Sequence, residues 1–398
     1  MSGQTSFTVK CAAIILGALA QGAHAISDEF IDPEDGMLDA SQYLSQRMLG
    51  FLPVPVVITE PAVGNGIGLM GIFFHESEAQ KKNKNRAGII PENITIAGGF
   101  ATENGSKFGG LGHIGFWRGD TVRYKGGIGY PDMNLDFYSI ANQSLSSPIE
   151  LNIKGPAILQ SLMFRLGKSH WLVGAYQTYQ HMEMSLANEL DIDRLPNEEL
   201  NDRLENFLES RLDVSQNTSG LGLVVEYDSR DNPMNPEAGF NYKVRAVDFN
   251  DAIGSDLEYT QYQLSGLNYW KLSDSFNFGW RLSYEGVEPK GNSPLPPYVL
   301  PGINLRGIAK ARYQDEQVVT TEIEATYKIT PRWHLKGFTG VGYTAATVSE
   351  LTSDADDASS IGAGFRYLMA KRYGFTMGLD IARGPEETAF YIQAGSSW

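Results

Sequence analysis

Apolar and polar residues alternate along most of this chain. Leu221, Leu223, Val225 and Tyr227 share one face of an extended segment, and Gly222, Val224, Glu226 and Asp228 share the other. Phe240, Tyr242, Val244 and Ala246 interleave with Asn241, Lys243, Arg245 and Val247, and Thr321, Ile323, Ala325 and Tyr327 with Glu322, Glu324, Thr326 and Lys328. Phe390, Ile392 and Ala394 repeat the pattern just before the chain stops at Trp398. A period of two is the strand period, and stretches of about ten such residues separated by turns mark a membrane-spanning β-barrel.

The spacing predicts an all-β fold, a 16-stranded antiparallel transmembrane barrel. Strands are expected near 64–75, 92–102, 105–117, 121–131, 133–141, 150–166, 169–185, 216–229, 239–250, 255–271, 275–288, 318–329, 332–347, 359–370, 373–383 and 388–398. Even-numbered connections are tight, as at Gly167-Lys168, 272–274 and Lys371-Arg372, whereas several odd ones are long, at 75–91, 186–215, 288–317 and 349–358. Short periplasmic turns alternating with long outer loops are what an outer-membrane barrel requires. Two short amphipathic helices are expected outside the wall, at 39–49 and 197–212. The second carries the apolar stripe Leu200, Leu204, Phe207, Leu208 and Leu212.

Composition changes the picture only once the barrel is in view. The 398 residues are 42% hydrophobic, with no mature run long enough for a spanning helix. A closed barrel needs none, since inter-strand bonds satisfy the backbone and only alternate side chains meet lipid. A soluble β-sandwich also alternates. It accounts less well for the aromatic residues near strand ends, among them Phe73, Phe74, Trp117, Tyr130, Phe137, Tyr138, Trp171, Tyr269, Trp270, Trp333 and Tyr367. Lys10, the apolar run Cys11 to Ala20 and Ala23-His24-Ala25 read as a signal peptide over 1–25. A segment at 26–61 with a short helix would then precede a barrel domain at 62–398. Cys11 is the only cysteine, so a mature chain would hold no disulfide. The net charge of -15 argues against nucleic acid as a partner. Nine acidic residues against three arginines concentrate acid between Ala187 and Asp213.

Three segments resemble the BamA/TamA-type superfamily of outer-membrane assembly and secretion barrels, the bacterial surface antigens. Asp228, Arg230, Asp231, Asn232, Pro233 and, later, Gly239 look like the family's periplasmic turn, in which Asn-Pro and Gly fix the bend. Leu305, Arg306, Gly307 and Ile308 resemble its Val-Arg-Gly-Phe/Tyr motif, which implies a long loop folded into the lumen between strands 11 and 12. Phe390, Ile392, Gly395 and Trp398 fit the terminal β-signal, which presents an edge to the assembly machinery. One departure stands out. Phe338-Thr339-Gly340-Val341-Gly342 resembles the family's Phe-x-Asp-x-Gly strand with Gly340 in place of Asp. A buried guanidinium needs carboxylate partners, and strand alternation nominates Glu322, Glu324 and Asp380.

Typical members precede the barrel with periplasmic capture domains, and the expectation here is the barrel-only branch. The resemblance implies insertion or translocation of polypeptides, or of lipids, through a lateral seam between the first and last strands. The alternative is a passive pore or structural barrel. The expected partners are outer-membrane lipids, the barrel assembly machinery during biogenesis and client polypeptides, and the expected state is a monomer. No catalytic constellation, Walker loop, metal cluster or cofactor motif stands out in the sequence. Of the mature histidines only His75 has a Ser two residues on, Ser77, and no strand-borne partner is evident. Asp32, Glu34, Asp35 and Asp39 resemble a calcium loop but lack its alternating ligands, so a turn with Asp39 capping a helix is expected instead.

Overall fold

The computed structural model describes residues 28–46, 51–59, 63–82, 88–140, 143–187, 215–291, 294–309 and 311–398. The expected signal peptide and the acidic helix at 197–212 lie outside the described residues. One antiparallel sheet holds seventeen strands. In chain order these are β1 (Phe51–Ile58), β2 (Gly66–His75), β3 (Asn93–Thr102), β4 (Lys107–Phe116), β5 (Val122–Ile140), β6 (Gln143–Lys154), β7 (Ala157–Arg165), β8 (Trp171–Leu186), β9 (Ser215–Asp228), β10 (Gly239–Phe249), β11 (Tyr259–Lys271), β12 (Phe276–Pro289), β13 (Gln317–Lys328), β14 (Trp333–Ala345), β15 (Asp356–Ala370), β16 (Phe375–Arg383) and β17 (Thr388–Ala394).

β6 and β7 are two halves of one stave. β5 pairs with β7 along its first half and with β6 along its second, and β8 takes both on its other side. Gly155 breaks the stave. Its φ is +142°, and a Cβ there would meet the His181 carbonyl at 1.9 Å. Among the described residues, seventeen strands less one leave sixteen staves, divided differently from the sixteen strands expected. The strand expected at 133–141 is the far half of β5, which runs on from 122 without a turn. The strand at Phe51–Ile58 was not expected, and lies inside the segment assigned to 26–61.

That exchange reverses the expected sidedness of the early connections. The 76–92 loop was expected among the outer loops. In the structure Arg372 Nε, in the β15–β16 turn, donates to Glu76 at 2.5 Å, and Ile89 N donates to the Arg372 carbonyl at 2.8 Å. The loop therefore lies at the short-turn end, and 103–106 joins the long-loop end. The inward loop falls between β12 and β13, which are the eleventh and twelfth staves as expected, because β6 and β7 share one stave.

Alternate residues face outward, with Leu223, Ile67 and Ile361 more than three-fifths exposed. The aromatic residues divide. Tyr130, Trp171 and Trp333 are exposed, but Phe74, Phe137 and Tyr269 are buried on the inward register, so these three are not girdle residues. Tyr367 is covered but shares the outward face of Trp333, on which it packs with ring centroids 4.8 Å apart. At the short-turn end the lumen contains an apolar cluster. Leu44, from helix α1 (Ser41–Gln46), and Ala40 just before it pack there against Leu52, Val54, Ile72, Phe74, Ile94, Tyr373 and Phe375. α1 falls within the expected helix at 39–49, and its last expected turn lies outside the described residues.

Candidate functional site

The β12–β13 loop folds into the barrel because its own hydrogen bonds and apolar residues make a compact finger. Ile303 N donates to Tyr313 O at 3.0 Å, and Gln314 Nε2 donates to the Pro297 and Leu300 carbonyls. Ile303, Leu305 and Ile308 bury against Val318 and Ala358. At the tip Arg306 is 9% exposed. Its Nε and one terminal nitrogen donate to Glu322 Oε1 at 3.0 and 2.7 Å, and the other donates to Asp380 at 2.8 Å. Glu324 Oε2 lies 3.0 Å away, and the Phe338 ring centroid 3.3 Å from the guanidinium carbon. The three carboxylates nominated by alternation thus surround one cation.

Gly340 explains how this site does without the family's Asp. A Cβ on Gly340 would meet Leu305 Cδ2 at 2.7 Å, and one on Gly342 would meet Ile303 at 2.6 Å. The two glycines cut a groove in β14 that receives the loop. Gly307, at φ +89°, makes the tight bend after Arg306 and donates to the Tyr391 hydroxyl on β17 at 2.8 Å. The finger therefore touches the last strand as well as the opposite wall.

Other charged groups join the same network, and sequence reasoning missed them. Arg366 chelates Asp380 at 2.6 and 2.9 Å, Lys336 bonds Glu324 at 2.5 Å, and Arg281 bonds the Asn304 carbonyl at 2.6 Å and lies 3.2 Å from Glu322. Each carboxylate is shared between cations, which offsets the several kcal/mol that desolvating a charge costs. Their signal was present: each lies on the inward register of its strand. Trp398 was also misplaced. β17 ends at Ala394, Gly395 turns at φ +80°, and the tail enters the lumen. There the Trp398 indole donates to Glu322 at 2.7 Å and lies over Gly279. The strand expected at 388–398 thus stops at Ala394, and the terminal aromatic lies inside the barrel. Phe390 and Ile392 share the outward face of β17, opposite the exposed Ile381 and Leu379, and Ile392 also touches the edge of the apolar cluster.

The short-turn mouth is closed by a second set of charges. Arg230 pairs with Asp228 at 2.9 and 3.0 Å, and Arg123 joins Asp228, Glu226 and Asp120 at 2.7, 2.9 and 2.6 Å. Asp231 caps the turn, accepting from Asn232 N and Glu237 N. Asn232 reaches across the mouth to donate to the Tyr373 carbonyl at 3.1 Å, and Gly239 leaves room for Ser229 O. Pro233 sits between these turn residues. Asp32, Asp35 and Asp39 do converge on a cation, but that cation is Arg332, bound by all three. Beside Arg332 the Asp35 carboxyl is held below the ordinary aspartate range.

The wall closes between β1 and β17 without a ladder. β1 pairs only with β2, and β17 only with β16. Just past the end of β1, the Thr59 hydroxyl donates to Phe390 O at 2.9 Å and accepts from Phe390 N at 2.8 Å. The expected seam, between 64–74 and 389–398, is corrected on one side, since Phe51–Ile58 is the first strand. Pro53 and Pro55 account for the weakness. They share an edge of β1, neither has an N–H, and proline fits a strand where the missing donor faces an unpaired side.

A family model described as the Omp85 superfamily domain matches residues 117–384. None of the curated protein sequences matches the chain. Among solved structures, the fold is similar to BamA from Haemophilus ducreyi lacking POTRA domains 1–3 (TM-score 0.52, 12% identity, covering 86% of this chain and 69% of that one). It is also similar to CdiB from Escherichia coli (TM-score 0.55, 7% identity, 86% and 62%) and CdiB from Acinetobacter baumannii (TM-score 0.51, 10% identity, 86% and 59%). The chain spans less than two thirds of either CdiB.

Proposed function

The chain belongs to the Omp85 superfamily, a family of outer-membrane barrels, and from that premise we propose that it inserts or translocates polypeptides at the outer membrane through the β1–β17 seam. The observation that carries this reading is the proline-blanked edge of β1 facing a last strand joined to it through one hydroxyl. Unpaired strand edges seek partners, and a client strand could template on β17 where β1 offers few donors. The Arg306 finger supports the last strand from inside through Gly307 and Tyr391. Loss or movement of that support would free the edge.

The passive-pore alternative finds less support. The finger, the 395–398 tail and α1 occupy the lumen. Comparison of the outer-membrane proteome with and without the protein tests the proposal. Selective loss of particular barrel or secreted proteins is expected. An unchanged proteome, together with stable conductance in planar bilayers, would favour the pore.

A further inference from the structure

The outer wall of β2–β5 carries polar side chains where hydrocarbon-facing groups are expected. Strand register puts His75, Asn93, Thr95, His113 and Tyr124 on the same face as the exposed Ile67, Leu69, Leu111, Ile128 and Tyr130. They lie within a few residues of the strand ends at the periplasmic rim, beside Trp117. His75 Nε2 is 3.2 Å from Thr95 Oγ1, which is 3.0 Å from His113 Nδ1. His113 Nε2 is 3.2 Å from Asn93 Oδ1, and the Trp117 indole donates to that same oxygen at 2.6 Å.

The sense of this chain of bonds follows from Trp117, whose indole can only donate. Asn93 therefore presents its oxygen, His113 donates to it from Nε2, and His113 Nδ1 accepts from Thr95. Thr95 in turn accepts from His75 Nε2. This ordering leaves the Asn93 amide hydrogens to donate to a ligand, and His75 Nδ1 to accept from a ligand hydroxyl. A threonine between two imidazoles resembles a nucleophile with its base. An oxyanion hole, however, needs donors aimed at the developing charge. The backbone amides of β2–β5 are engaged in ladders, which leaves only side chains such as the Asn93 amide to supply them. The arrangement suits binding.

We propose that this cluster binds the phosphate headgroup of an anionic lipid in the periplasmic leaflet. Polar side chains on a lipid-facing wall are costly and mark function. Cations stand at the same rim: Arg118 is exposed in the β4–β5 turn, and Lys82 is exposed in the five-residue helix that follows β2. Trp117 stacks on Tyr124 with centroids 5.6 Å apart, an aromatic pair at interface depth. Above the cluster, Gly71, Ala97, Gly99 and Gly109 share the outward register; the Phe51 and Phe73 rings lie over Gly71, while a Cβ on Gly109 would meet nothing within 4 Å. That shallow furrow, between Leu69 and Leu111, gives acyl chains a bed beside the seam.

The inference stands apart from the insertion reading and is tested by binding alone. Full-length protein is released from detergent micelles into native mass spectrometry with added phosphatidylglycerol or phosphatidylcholine. Phosphatidylglycerol should be retained preferentially. Its occupancy should fall about tenfold in Asn93→Leu, as expected for losing a hydrogen bond to a charged group, and less in His75→Ala, whose Nδ1 only accepts. Arg118→Gln, at an exposed position that does not bear on folding, should lower it as well, and Leu223→Ala on the far wall should not. Equal retention of the two lipids, or undiminished phosphatidylglycerol binding in folded Arg118→Gln and Asn93→Leu, would overturn the proposal. Release of lysophospholipid would overturn it in favour of hydrolysis.

Discussion

Arg306 shows how much a single position can organise. Its guanidinium is buried among Glu322, Glu324 and Asp380, so Arg306→Ala strands three carboxylates that have only the neighbouring cations left. The expected cost is about 3–5 kcal/mol, as for other broken buried pairs, read as a lower urea midpoint for unfolding in detergent. Gly340→Asp makes a less obvious prediction. It restores the residue typical of the family, yet its Cβ would collide with Leu305. The variant should loosen the loop and speed its proteolysis between 294 and 316, whereas a variant as resistant as the parent would show that the groove is not needed. At the other end, Arg332 holds Asp35 in its charged form. Because that folded-state value is depressed, the contribution to docking the 28–46 segment is complete above about pH 4 and lost as pH falls through the lowered value. Hydrogen exchange of this segment should quicken on acidification, and less steeply in Asp35→Asn. The carboxylate trio was legible because strand alternation is a strict rule. Trp398 was not, because a single left-handed Gly395 redirects the tail and no periodicity records it.

At the scale of elements, the misread strand is also the informative one. Phe51–Ile58 was passed over because Pro53 and Pro55 count against a strand interior. Those prolines are tolerated because one edge of the element has no ladder to lose. Missing it, and dividing β5 at Pro131, left the stave count unchanged while reversing the sidedness of the connections between. Where loops were long and strands regular, from β8 onward, turn chemistry such as Asn232-Pro233 located the elements well. Pro53→Val with Pro55→Val returns two donors to the seam edge. Each new backbone bond is worth about 1 kcal/mol net, so thermal unfolding on a heat-modifiability gel should shift upward while client handling falls. A double variant with unchanged midpoint and full activity would show that the prolines do not set the seam.

At the scale of the whole molecule, the described residues form a barrel with segments of its own chain inside it. The finger, the tail and α1 meet the wall through charge networks at mid-lumen and an apolar cluster near the periplasmic mouth. Reconstituted protein should therefore conduct poorly in planar bilayers, and removal of residues 295–315 should open it. Large conductance from the intact chain would contradict that picture. The central claim concerns the seam, and Thr59→Cys with Phe390→Cys tests it most directly, since these positions meet where the two strands touch and Cys11 is the only native cysteine. Oxidation should lock β1 to β17 and abolish the assembly of client proteins, with activity returning on reduction. Full activity in the verified oxidised, crosslinked protein would contradict the account.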